Sequence, residues 1–361
     1  RVATVPVSVT IPAGNNYAYF GVTGQDTLGT IQVTATATGY NASSSNIQVT
    51  APKFIVSTST TLNTTSQAQT LTIYAADANG NTHYTNENVT VSLASSAPGV
   101  ATIDSAGPGV TIVAGNYYTQ AASWKPVAVG TAQLSMTDGR AAFYKYNTAT
   151  VNIAVVTPTL NFGFANTSLG IGQYIDNEYV YTPDYMTSSV AVSFSHLGTS
   201  HASTLVSGSP VSSVTISSGS NIGYFRLLGV SAGIDSLVGT LSSPLHNPAT
   251  TATTVGLGRI DPISGWPGSI NAGDSVQVTL YARDPAQNAR NVQAATVFTL
   301  APNSHIQFVS GGVSSTVITS ATIPADGYYV QFYLKGVSSG TGSATITSAN
   351  YVTYTNTVTV P

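Results

Sequence analysis

The sequence predicts an all-β chain of tandem two-layer sandwiches, and three observations carry that prediction. Helix-forming charge is almost absent: charged residues fill 6% of 361 positions, against about 25% in an ordinary soluble domain. Glutamate occurs only at Glu87 and Glu178, while the abundant Val, Thr, Ile and Tyr favour strands. Apolar residues reach 42% with a net charge of -3, a composition that buries cores instead of staying disordered. Finally, one strand-sized pattern recurs four times along the chain, and such periodicity decides a fold before local structure does.

Each copy reads apolar-Thr-Ile, polar turn, aromatic strand, Gly, alternating strand. The first runs Val9-Thr10-Ile11-Pro12-Ala13-Gly14, then Ala18-Tyr19-Phe20, then Gly29-Thr30-Ile31-Gln32-Val33. The second has Val110-Thr111-Ile112 and Gly130-Thr131-Ala132-Gln133-Leu134. The third has Val214-Thr215-Ile216, Gly223-Tyr224-Phe225 and Gly233, and the fourth Ala321-Thr322-Ile323, Val330-Gln331-Phe332 and Gly342. The anchor isoleucines lie 101, 104 and 107 residues apart, and the Ile-to-Gly steps are 18, 18, 17 and 19.

Within a copy the side chains alternate with the period of a strand that has one buried face. Val330, Phe332 and Leu334 are expected to point inward between Gln331 and Tyr333. Two and four residues past the Gly, the inward positions are Ile31 and Val33, Ala132 and Leu134, Ala344 and Ile346; the third copy breaks the rule with Asp235. Each copy closes on a Thr- and Val-rich strand such as Thr357-Val358-Thr359-Val360. Upstream, Leu71-Thr72-Ile73-Tyr74-Ala75-Ala76-Asp77 parallels Val278-Thr279-Leu280-Tyr281-Ala282-Arg283-Asp284. Six or seven short strands per hundred residues or so predict β-sandwiches of immunoglobulin type, whereas propeller blades would recur about every 40 to 50 residues. The expected modules are 1–52, a C-terminal part only, then 53–156, a divergent 157–258, and 259–361, with short joints near Pro52, Pro158 and Arg259.

The D-x-N-G-N turn at Asp77 to Asn81, the V-T-I-P-A-G element at Val9 to Gly14 and the G-T-x-x-[VL] strand at Gly29 and Gly130 resemble bacterial immunoglobulin-like repeats. These are found in adhesins, surface-layer proteins and phage tail proteins. The third copy departs most, with Tyr181-Thr182-Pro183-Asp184 in place of the turn. The resemblance implies an extracellular, modular, structural or adhesive role and supplies no catalytic residue.

Composition narrows the partners. Ten Lys and Arg against thirteen Asp and Glu leave no basic stripe for phosphates, so nucleic acid is a poor partner. No run approaches the roughly 18 apolar residues of a membrane helix, so this segment is expected to carry no span. No basic-then-apolar leader opens the chain at Arg1, and cysteine is absent. Sequons begin at Asn41, Asn63, Asn88 and Asn166. Because the first copy starts mid-sandwich, either residue 1 is a cut in a longer repeat protein or the missing strands come from elsewhere by strand addition.

Motifs that resemble chemistry read as structure. Gly336-Val337-Ser338-Ser339-Gly340 and Gly229-Val230-Ser231-Ala232-Gly233 fit G-x-S-x-G, but a nucleophile elbow needs a following helix. His83, His196, His201, His246 and His305 are scattered, and the five-residue step from His196 to His201 would place them on opposite faces of one strand. Asp77, Asn79 and Asn81 mimic the start of a calcium loop, but Gly80 falls at position four where the loop needs it at six; carboxylates at domain seams, for example Asp104 or Asp261, could collect calcium, but the eleven Asp do not cluster. Lys53, Lys125, Lys145 and Lys335 occupy no repeated position that an isopeptide cross-link would use. The expectation is no catalytic, cofactor-binding or metal residue, and no enzyme. Tyrosine, with 20 copies, is the residue left to explain. Pairs such as Tyr117-Tyr118 and Tyr328-Tyr329 are expected to place one ring on each face of a strand; Trp124 and Trp266 read as loop plugs.

The functional expectation follows from the missing charge, because weakly charged surfaces lack the repulsion that keeps proteins apart. It is a structural subunit of a cell-surface fibre, sheath or surface layer whose chief partner is itself, as a homopolymer or by lateral assembly. An adhesin stalk is the runner-up, and a carbohydrate-binding module that uses Tyr and Trp on cell-surface polysaccharide the third reading.

Overall fold

The computed structural model describes residues 2–105, 109–140, 145–165, 167–261, 263–312 and 315–361. Strands dominate, no helix occurs among the described residues, and so no helix is long and apolar enough to cross a membrane. The chain forms two compact units, Arg1–Thr157 and Pro158–Pro361.

In the first unit, a five-stranded sheet (Gly109–Ile112, Val89–Ser95, Gly130–Asp138, Ala149–Val156, Thr61–Asn63) shares a core with a four-stranded sheet (Lys53–Ser57, Gln69–Ala76, Tyr118–Pro126, Ala101–Ser105). Leu71, Ile73, Ile112, Trp124, Leu134 and Ile153 fill the space between them. The chain enters one sheet and switches to the other: Lys53–Ser57 pairs antiparallel with Gln69–Ala76, then Thr61–Asn63 pairs parallel with the last strand. That switch ties the layers together.

The second unit repeats the device. Asn161–Phe162 pairs with Gln173–Tyr181, and Thr167–Gly170 then runs parallel to Ala249–Gly256. The entry points match as well: the Pro52 carbonyl accepts from Asn147 N–H and the Pro158 carbonyl from Asn247 N–H, each at 2.8 Å. Two cores follow, one around Leu160, Val192 and Leu227, the other around Phe298, Phe308 and Phe332.

The alternation after the repeat glycine holds, with Ala132, Leu134, Ala344 and Ile346 buried and Ile31 and Val33 half-buried. Register identifies the glycine better than spacing does. Gly29 pairs Val49, Gly130 pairs Val155, Gly233 pairs Val255, and Gly340 pairs Val360. The fourth repeat glycine is therefore Gly340 and not Gly342. A side chain from the opposite layer explains the choice: His201 and His305 lie 2.3 and 2.6 Å from where a Cβ would stand on Gly233 and Gly340, distances no side chain tolerates.

The first copy departs from expectation. Gly29–Ala35 and Ser43–Val49 form a hairpin, and Ala3–Thr4 pairs Thr23–Gly24, but residues 5–22 form no other strand. Ile11 is 53% exposed, whereas Ile112, Ile216 and Ile323 are 0% exposed. Those three sit on strands paired to Val89–Ser95, Val190–His196 and Thr296–Pro302, and the described residues 2–52 form no counterpart of such a strand. The local turn survives without it, Pro12 C=O accepting from Asn15 N–H as Val113 C=O does from Asn116 N–H. Turn formation is local; burial of the isoleucine needs a neighbour.

Candidate functional site: tyrosine clusters and a fixed joint

Register places tyrosines side by side in two sandwiches. Tyr74 pairs with Tyr118, and Tyr281 with Tyr329. The residue before each second strand adds a third ring. Tyr74, Tyr117 and Tyr118 stand 5.1–6.4 Å apart between centroids, and Tyr281, Tyr328 and Tyr329 stand 5.0–6.2 Å apart. The expectation of one ring per face is thus corrected. Tyr117 and Tyr328 lie just outside the strands and their carbonyls accept from Ala75 and Ala282 N–H, so the chain is still turning and both rings of each pair stay together. Tyr118, Tyr328 and Tyr329 are exposed. The Arg283 guanidinium lies 5.2 Å from the Tyr281 ring. In the third sandwich Tyr179 stands 5.9 Å from both Tyr181 and Tyr224, and Tyr17 meets Tyr19 edge-on in the first copy. Such rings offer apolar faces with a hydroxyl rim, suited to another protein surface or to a sugar ring.

The acidic turns beside these clusters use their carboxylates internally. Asp77 accepts from Asn81 N–H at 2.9 Å, Asn81 Nδ2 at 3.0 Å and His83 Nε2 at 3.2 Å. Burial acts to raise its pKa, but the bonds from Asn81 and His83 outweigh that and lower it to about 2. Asp284 accepts likewise from Asn288 N–H at 2.9 Å and from Arg290 Nε at 2.9 Å. Among the described residues no three His, Asp or Glu side chains gather as a metal site.

Within the second unit, the last two sandwiches meet through a polar joint that nothing in the repeat pattern announces. Asn291–Val292 adds to the sheet of the preceding sandwich by pairing with Gln173 and Tyr174. Gln173 is 0% exposed. Its Oε1 accepts from Gly170 N–H at 2.9 Å; its Nε2 donates to Arg283 C=O at 2.9 Å and lies 3.0 Å from Tyr351 Oη. Tyr174 O–H donates to Asp326 Oδ1 at 2.7 Å, and the Arg226 guanidinium sits 3.6 Å over the Tyr174 ring while Nε donates to Asp176 at 2.6 Å. Asp326 occupies the turn position that is Gly14, Gly115 and Gly219 in the other copies, and it keeps their left-handed backbone at φ 62°. A non-glycine residue there is uncommon, and its carboxylate explains it by reaching the neighbouring sandwich.

This joint carries a pH prediction. Burial first, then its hydrogen bond to Asp326, pushes the Tyr174 phenol up to about 12; burial does the same to Tyr351 against a smaller opposing effect of Gln173. Raised folded-state values stabilise fully below the ordinary phenol pKa near 10 and lose that contribution as pH climbs toward 12. Thermal stability of the second unit is expected to fall between pH 10 and 12, and Tyr351→Phe to remove part of that slope, as read by calorimetry.

The remaining expected sites fall into place as structure. Trp124 is no loop plug: it lies in Tyr118–Pro126, 0% exposed, and Nε1 donates to Thr58 Oγ1 at 3.1 Å. Trp266 does lie in a loop, its Nε1 donating to Thr357 C=O at 2.9 Å. Both G-x-S-x-G segments run into strands, Gly233–Thr240 and Gly340–Thr347, and Ser231 and Ser338 hydrogen-bond to His201 and His305. His196 and His201 share no strand; they close on Asp235, whose carboxylate accepts from His196 Nδ1 at 2.7 Å and from His201 and Ala202 N–H at 2.6 Å each. Asn41 is exposed, Asn88 Oδ1 accepts from Ala114 N–H at 2.9 Å, and Asn166 lies outside the described residues.

No family model and no curated protein matches the chain. Among solved structures it is similar to domains 4–9 of surface layer protein SbsC, at 16% identity over 85% of this chain and 47% of that one, with a TM-score of 0.29. It is also similar to the Yersinia pseudotuberculosis adhesin InvE, at 16% identity over 62% and 66%, TM-score 0.24. A β-glycosidase from Bacteroides vulgatus matches at 14% over 56% of this chain and 25% of that one, TM-score 0.24. The chain thus spans a quarter of the glycosidase and about half of the SbsC fragment. At these values the likeness carries no argument about activity or assembly.

Proposed function

We propose that this chain is a structural segment of an extracellular or cell-surface assembly, a fibre, sheath or surface layer, whose modules 1–52, 53–156, 157–258 and 259–361 self-associate through uncharged faces. The observation that carries the reading is the recurrence of the tyrosine triad at matching strand positions on a chain with 6% charged residues. Repeated exposed aromatic patches on a weakly charged surface favour contact between copies. A stalk of an adhesin remains the second reading, because the joint around Gln173 and Asp326 would keep consecutive sandwiches in fixed relation. The carbohydrate-module reading loses Trp124 to the core and retains the tyrosines and the loop residue Trp266.

Sedimentation velocity across a concentration series tests this. Wild-type chain is expected to associate as concentration rises, and a chain carrying Tyr118→Lys with Tyr329→Lys to remain monomeric. A wild type that stays a single small species at high concentration, or a variant that associates equally, overturns it.

A further inference from the structure

The outer face of the smaller sheet in the fourth sandwich carries an uncharged track of rings and amides. Ser275–Tyr281 pairs along its whole length with residues Tyr329 to Lys335 of the strand Tyr329–Gly336. Side chains on such a pair alternate between faces. Val278, Leu280, Phe332 and Leu334 fill the core, so Gln277, Thr279 and Tyr281 lie outward beside Tyr333, Gln331 and Tyr329. The track is about 14 Å long at roughly 3.4 Å per residue. Arg283 stands beyond one end, 5.2 Å from the Tyr281 ring, and Lys335 pairs with Ser275 beyond the other. None of the six positions between them is charged.

Ring faces and hydrogen-bonding groups interleave along it. Tyr281, Tyr328 and Tyr329 cluster at one end, and Tyr328 and Tyr329 are each 43% exposed. In the middle, Gln331 Nε2 donates to Thr279 Oγ1 at 3.3 Å. Gln331 is exposed, and that single bond leaves its carbonyl oxygen, its second amide hydrogen and the Thr279 hydroxyl hydrogen without a partner among the described residues. Tyr333 and Gln277 repeat the ring and the amide one row further on. The second sandwich begins the same way, with Tyr74 opposite Tyr118 and Gln120 Nε2 donating to Thr72 Oγ1 at 3.1 Å. A register shift after Thr119 then breaks its strand, and the next ring, Trp124, is buried.

We infer that this track is a saccharide-binding platform whose ligand is a neutral, extended glycan chain. A sugar ring has an apolar C–H face that stacks on tyrosine and a rim of hydroxyls that both donate and accept, the two things the track offers in alternation. A second copy is the less suited occupant, because a dry protein contact would bury the open groups of Gln331 and Thr279 without matching them. An anionic polymer finds no cation between Arg283 and Lys335, and a cationic one finds no carboxylate. The inference goes beyond the association reading and does not depend on it: with a glycan on the fourth sandwich, the triad around Tyr118 stays open to another copy.

The full chain is titrated with cellohexaose, chitohexaose and mannohexaose, at a dilution where it sediments as a single species, and binding is read by calorimetry. Wild type is expected to bind at least one of them. Tyr329→Ala and Gln331→Ala should each weaken that binding about tenfold or more. Tyr329→Phe should keep it, because the ring face remains, and Tyr118→Ala should leave it unchanged. All three side chains are exposed, so the variants should fold, and an unchanged melting midpoint checks this. Wild type that binds none of the three sugars overturns the inference, as does binding that survives Tyr329→Ala combined with Gln331→Ala, or that falls equally with Tyr118→Ala. If Tyr329→Ala abolishes association in a chain whose wild type takes no sugar, a second copy is the occupant and the platform falls, while the association reading stands. A chain that binds the sugar and stays monomeric when concentrated rejects the association reading and keeps the platform.

Discussion

Asp235→Ala is expected to destabilise the Pro158–Pro361 unit by about 3–5 kcal/mol and to lower its melting midpoint by about 10 °C. Asp235 stands two residues past Gly233, where the second copy has Ala132, so its side chain faces the core and is 0% exposed. Its carboxylate is the acceptor for His201 and Ala202 N–H and for His196 Nδ1. Removing it strands buried donors at the mouth of a sandwich, and an orphaned buried donor costs far more than the net value of its bond. Asp235→Asn keeps one acceptor oxygen and should cost less. Calorimetry checks both; a loss under about 1 kcal/mol for the alanine variant would mean that water reaches these donors in place of the carboxylate.

Gln173→Leu is expected to cost about 3 kcal/mol and to change the form of the transition. Leucine fills similar space but leaves Gly170 N–H without the Gln173 acceptor and removes one of the two donors to Arg283 C=O, which keeps Arg259 N–H, with Tyr351 O–H losing its neighbour. Because Gln173 belongs to one sandwich and Arg283 and Tyr351 to the next, the substitution acts on their coupling. One cooperative melt of the second unit should divide into two, the pattern of separately unfolding segments. A single transition shifted without broadening would show that the strand pairing of Asn291–Val292 holds the sandwiches together without the amide.

These two residues mark the limit of what was legible in the amino-acid pattern. Strand alternation is a local feature, visible because its physical cause lies within a few residues, and the isoleucine anchors and the glycine that opens the penultimate strand are visible because they recur in every copy, although their causes lie on neighbouring strands and in the opposite layer. Asp235 is conspicuous as an exception to the alternation, yet its reason lies across the sandwich at His201. Gln173 and Asp326 act on another module altogether, so no spacing within their own copy points to them; the one clue is Asp326 standing where Gly14, Gly115 and Gly219 stand elsewhere. Trp124 misleads because it sits beside Lys125 and Pro126, while its place on the inward side of Tyr118–Pro126 is fixed by pairing with Gln69 and Ile103. The tyrosine pairs mislead for a related reason: strand alternation begins only at Tyr118 and Tyr329, one residue after the first ring of each pair. Ile11 shows the converse, a core residue by pattern that stays exposed for lack of a partner strand.

Association of copies through their weakly charged, tyrosine-bearing faces is the central proposal. Electron microscopy of the purified chain over a concentration series, at low and at high salt, tests it most directly. Ordered polymers with a regular axial repeat are predicted at both salt levels, because apolar and hydroxyl contacts are not screened as ion pairs are. Dispersed single particles at the highest concentration, or assemblies that dissolve when salt is added, would contradict it.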